Sequence, residues 1–94
     1  MLYNFTADGF VTGATQARLV NIKSVFFSGV GVTVGDRVAI RSGGPQGDVK
    51  ILLVASTANG TFGFTMPDGG VDVLNPYYSE QKTGGTIWGH VVTA

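Results

Sequence analysis

The sequence predicts an all-β fold: a small antiparallel β-sandwich, or a jelly-roll-like barrel, of about seven to eight strands. Short runs rich in Val, Ile, Phe and Thr alternate apolar and polar residues at period two, the spacing of a half-buried strand. The 94 residues include 15 glycines, which fall between those runs instead of forming a repeat. That is about twice the usual ~7% share of glycine, placed where turns need it. No segment sustains a 3.6-residue period between helix caps.

Residues 1–7 read as a lead-in, and a first strand is expected over about 8–14, with Gly9 and Gly13 at its ends. In the longest run, Ala17 to Phe27, Val20, Ile22 and Phe26 alternate with Asn21, Lys23 and Val25, which points Phe26 at the core. Ser28-Gly29-Val30-Gly31 breaks that run, and Val32-Thr33-Val34 is a brief strand or an extended connector. Gly35-Asp36 opens a strand over Arg37–Ser42, and Gly43-Gly44-Pro45-Gln46-Gly47 is a turn. Asp48 to Ser56 is apolar on both faces, which suits a central strand or one whose second face is covered by a partner. Asn59-Gly60 predicts a type I′ hairpin to the next strand, Thr61–Met66, because both residues tolerate positive φ. Pro67-Asp68-Gly69-Gly70 is a second turn, from which Val71–Leu74 returns. Asn75 to Gly84 is the one long irregular stretch, and Gly85 to Thr93 is the last strand, with no charge to block edge pairing. The expected core is Val20, Ile22, Phe26, Val38, Ile40, Ile51, Leu53, Phe62, Phe64, Ile87 and Val91.

The length fits a single domain, residues 1–94. Charged residues make up 13% of it, about half the usual share, and the formal net charge is +0. A chain this short buries only a little over ~60% of its unfolded surface. With a mean hydropathy of +0.26 and almost no net charge, association is expected to cover more. Arg18, Lys23, Arg37, Arg41, Lys50 and Lys82 are scattered, which argues against a nucleic-acid partner. There is no cysteine, so a thiolate metal site is excluded. No apolar run approaches the ~20 residues of a membrane helix. The start, Met1-Leu2-Tyr3-Asn4, lacks the basic-then-apolar pattern of a secretory signal, so cytoplasmic synthesis is expected.

No enzymatic chemistry, cofactor or metal is expected. His90 is the only histidine and has no companion ligand at metal spacing. Asp68 and Asp72 pose as a carboxylate pair, but a turn already accounts for Asp68. Asp36 and Asp48 lack a calcium-loop pattern and read as solvated turn residues. The Gly-rich stretches lack the helix and Lys-Ser or Lys-Thr of a phosphate loop. Tyr77, Tyr78 and Trp88 remain, either as a stacking platform for sugar or protein, or as aromatics pinning a loop to the core. Leu52, Val54 and Val92 join them as candidate interface residues, because their apolar side chains are expected to face outward.

Several segments carry a resemblance: Ala17-Arg18-Leu19-Val20-Asn21-Ile22-Lys23-Ser24-Val25-Phe26-Phe27, the Gly-Asp-Arg strand, Gly47-Asp48-Val49-Lys50-Ile51-Leu52-Leu53, Met66-Pro67-Asp68-Gly69-Gly70-Val71 and Thr83-Gly84-Gly85-Thr86-Ile87. In this style and order of strands, over most of residues 17–92, the chain resembles the small virion structural proteins of tailed bacteriophages, the marine cyanophage type in particular. The resemblance implies a β-rich, enzymatically inert protein that decorates or cements a capsid or belongs to a tail. Its implied partners are the major capsid protein and further copies of itself, a homotrimer by analogy with the threefold axes of icosahedral shells. Its implied location is the capsid surface. A small carbohydrate- or receptor-binding module using the aromatics is the alternative from a different class.

Overall fold

A computed structural model describes residues 1–12, 19–56, 61–66 and 69–94. The expectations for Gly13, for the turn residues Asn59-Gly60 and Pro67-Asp68, and for the Phe64 side chain lie outside the described residues. The fold is an all-β sandwich of two antiparallel sheets, with no helix among the described residues. Its strands are β1 (Leu2–Phe5), β2 (Gly9–Phe10), β3 (Leu19–Val30), β4 (Arg37–Ser42), β5 (Asp48–Val54), β6 (Thr61–Thr65), β7 (Val71–Leu74), β8 (Pro76–Gln81) and β9 (Thr86–Thr93). The first sheet has the order β1-β9-β3-β6, with β7 also paired to β3; the second has the order β2-β8-β4-β5.

β3 is the spine of the first sheet. Its pairing with β9 shifts register between Ile22 and Ser24. A bulge of this kind adds one residue and reverses which side chains face inward. Val20 and Ile22 are buried before it; Val25 and Phe27 are buried after it. Phe26 therefore faces outward, not into the core as its spacing from Ile22 suggested, and stacks on His90 with ring centroids 4.8 Å apart.

The β4–β5 hairpin forms across Gly43–Gly47 as its turn residues predict, in register from Arg37↔Val54 to Ser42↔Asp48. The expected β5–β6 hairpin does not form. β5 pairs with β4 in the second sheet, whereas β6 pairs with β3 in the first. β5 and β6 thus belong to different sheets. Nor do β6 and β7 form a hairpin with each other: both lie antiparallel along the same β3, β6 against Ser24–Ser28 and β7 against Leu19–Ile22.

Four placements differ further from the sequence reading. Leu2–Phe5, read as a lead-in, is a strand paired with β9. β9 is therefore central, between β1 and β3, and has no open edge. β5 is an edge strand, not a central one. Finally, Pro76–Gln81 is not irregular: it is β8, flanked by β2 and β4. The chain leaves the first sheet at Leu74 and enters the second at Pro76, turning at Asn75, whose φ is 45°. Asparagine is among the few non-glycine residues that adopt this left-handed conformation readily.

The core lies between the sheets. Ile22, Val25, Phe27, Val73, Ile87 and Val91 face it from the first, and Val38, Ile40, Ile51 and Tyr78 from the second. Leu53 and Phe62 pack against it while partly exposed. Tyr78 is the largest fully buried side chain; it stacks on Phe5 at 4.4 Å and lies over Gly89 of β9.

Candidate contact surfaces

The inward pattern fixes what each sheet shows outside. On the first sheet, the positions alternating with Val25, Phe27, Ile87 and Val91 line up across strands. The rows are Leu2, Val92, Ser24 and Thr65; Asn4, His90, Phe26 and Gly63; and Trp88, Ser28 and Thr61. None is Asp, Glu, Lys or Arg. Leu2 is 53% exposed and Trp88 40%. Six of these eleven residues are polar, and the apolar side chains among them are Leu2, Val92, Phe26 and Trp88; the exposed Lys23 at the bulge and Asp72 of β7 lie on the same face beyond the rows.

On the second sheet, β4 turns Arg37, Ala39 and Arg41 outward, and β5 adds Val49, Leu52 and Val54. A register shift between Ile40 and Arg41 leaves Lys50 unpaired at the β5 edge. A bulge with a lysine is a common guard on an open edge. Tyr77 and Phe10 close the far side of this face with an edge-to-face contact at 5.0 Å.

The six interface candidates are divided by this architecture. Leu52, Val54 and Tyr77 lie on the outer face of the second sheet, Trp88 and Val92 on that of the first. Tyr78 is in the core and offers nothing to a partner. Tyr77 and Trp88 are on opposite sides of the molecule, so the three aromatics form no common platform. Sequence spacing missed Phe26 as a surface residue; it did set Arg37 and Arg41 opposite the core positions Val38 and Ile40, without making them interface candidates. The bulge hid Phe26, and the arginines gain significance only from the apolar neighbours that β5 supplies.

The polar groups serve local structure. Asp36 is buried, not a solvated turn residue. Its carboxylate accepts from the Thr33 amide at 3.0 Å, the Thr33 hydroxyl at 3.3 Å and the Thr83 amide at 3.2 Å, tying two loops together. Asp72 accepts from Asn21 Nδ2 at 2.8 Å. His90 Nδ1 meets Asn4 Oδ1 at 2.5 Å. Lys82 and Glu80 form an ion pair at 3.0 Å. Burial pushes the Tyr78 hydroxyl far above the usual phenol range, and the charge of Glu80 adds to it. Yet Tyr78 Oη and Glu80 Oε1 are each buried with no partner in hydrogen-bond geometry. Among the described residues, no group of three or more His, Asp or Glu is placed to hold a metal ion.

Comparisons with protein-family models, curated proteins and solved structures give no match to this chain.

Proposed function

We propose that this protein is a virion decoration protein, which stabilises a phage head by protein–protein contact and performs no catalysis. One observation supports the contact: the rows that β1, β9, β3 and β6 share on the outer face of the first sheet hold no charged residue, with Leu2 and Trp88 exposed on them, and Lys23 and Asp72 lie on that face beyond these rows. Rows without charge can meet a different surface of a second copy, or a shell surface, without burying an unpaired charge. The virion setting comes from the sequence resemblance described above. In this reading the protein is a homotrimer on the capsid surface, contacting the major capsid protein.

The test is the mass of the purified protein in solution and its retention on purified particles. The wild type should oligomerise and stay with the particles. Trp88→Glu should lower particle occupancy far more than it lowers the melting temperature. A wild-type chain that stays monomeric at high concentration and never co-purifies with particles would overturn the proposal.

A further inference from the structure

We infer that the outer face of the second sheet docks an acidic protein segment, seating a carboxylate between Arg37 and Arg41 above Ala39. The inference rests on the reading that the protein works by contact, and it names the chemistry of one partner.

Arg37, Ala39 and Arg41 alternate outward along β4. The two arginine Cα atoms are roughly 13 Å apart at the usual strand rise, a span that two long side chains can close upon one anion. Ala39 is only 5% exposed and forms the floor. Together these residues line a shallow depression of about 180 Å3, flanked by Val49 and Leu52 on one side and Ser79 and Gln81 on the other. This is below the ~300–1,000 Å3 of a small-molecule site. It is enough for a side chain or two from a partner.

Arg41 is already positioned. Its Nε donates to Ser79 Oγ at 3.3 Å and its Nη1 to the Gly47 carbonyl at 3.0 Å. Both acceptors are neutral, so the guanidinium is oriented without being neutralised. Among the described residues neither Arg37 nor Arg41 has an ion-pair partner, and no outward position of β4, β5 or β8 is acidic. A planar guanidinium recognises a carboxylate through paired hydrogen bonds. The apolar rim, with Leu52 49% exposed, calls for apolar residues beside that carboxylate. A phosphate backbone would instead call for a longer basic stripe. A second copy presenting this same face would oppose arginine to arginine, so the occupant is an acidic segment and not a twofold self-contact.

The probes are a synthetic peptide of alternating leucine and aspartate, its leucine–asparagine counterpart and a short oligothymidylate. Each is titrated into the 15N-labelled protein while amide shifts are followed. The aspartate peptide should shift amides around Ala39 and Leu52. Its affinity should fall at least tenfold with Arg37→Gln/Arg41→Gln and with the asparagine peptide. Arg37→Gln alone removes an exposed side chain and should weaken binding severalfold with the spectrum otherwise preserved. Absence of binding, equal binding of the asparagine peptide, full affinity in the variants or tighter binding of the oligonucleotide would each overturn the inference. Particles separate the two readings. Arginine variants retained as well as wild type would sink the docking site and leave the decoration role. A wild type that binds the acidic peptide but never particles would do the reverse.

Discussion

Gly89 shows how tightly single residues are placed. A Cβ there would fall 2.1 Å from Tyr78 Oη and 2.4 Å from its Cζ, so glycine is what allows the ring to lie between the sheets. The ring is rigid and packed on Phe5, and it has nowhere to move. Gly89→Ala should therefore cost about 1–3 kcal/mol by denaturant melts, the usual penalty for overpacking. Tyr78→Phe removes a buried hydroxyl without a partner and should leave stability unchanged or raise it. A loss above ~1 kcal/mol would show that Oη is bonded after all. The same hydroxyl gives a pH signature. Its folded-state pKa is raised, so stability is intact below the unfolded tyrosine value of ~10 and falls as pH rises past it, because only the unfolded chain releases the proton. The melting difference between wild type and Tyr78→Phe should therefore be flat up to about pH 10 and change above it. Asp36→Ala strands the amides of Thr33 and Thr83 and should cost about 1–3 kcal/mol. From the sequence alone Asp36 was a turn residue and Tyr78 a loop aromatic. Nothing in a linear chain shows that Thr83 returns to Asp36, or that a proline beside two tyrosines opens an interior strand.

Among the elements, the runs with strict alternation were legible and the deviations from it were not. Arg37–Ser42, the turn at Gly43–Gly47 and Asp48–Val54 could be read because hairpin pairing is local and each strand keeps one phase through most of its length. β3 could be read as a strand but not as a bulged one, since an extra residue at Lys23 is visible only when β9 is beside it. The two phenylalanines after that bulge test it. Phe27→Ala should cost about 3–5 kcal/mol, because Phe27 is fully buried. Phe26→Ala should cost only about 1 kcal/mol. Equal losses would mean that the phase does not change. Asn59-Gly60 misled for a related reason. Its residues suit a tight hairpin, but β5 has Ile51 and Leu53 facing the second sheet's core while Phe27 and Phe62 make a ring contact at 5.2 Å within the first. Burial of those side chains, not the turn, decides where each strand pairs. β8 escaped notice because Pro76 looks like punctuation, although proline is acceptable at the first position of a strand.

For the molecule as a whole, the sandwich class followed from strand count and composition, while the two faces emerged only from the topology. The rows around Trp88 on one face hold no charge, and the other face carries Arg37 and Arg41, on a chain whose formal net charge is +0. A charge at Trp88 and a charge at Leu52 should therefore act on different contacts, and their effects on particle retention should be additive. Particle titrations of Trp88→Glu, Leu52→Glu and the double variant would measure this; strong coupling would mean that both side chains meet one partner surface. The central position of β9 has a consequence for synthesis. A ribosome delivers Thr86–Thr93 after every other strand, yet β9 is the partner of both β1 and β3. Until those residues emerge, the nascent chain has a gap through the middle of one sheet, and Val25 and Phe27 lack the neighbour that covers them. Such distant pairings also make closure slow. The first sheet can therefore close only once Thr86–Thr93 have emerged, and nascent chains stalled before Thr86 should be cut by protease at sites that chains carrying those residues shield.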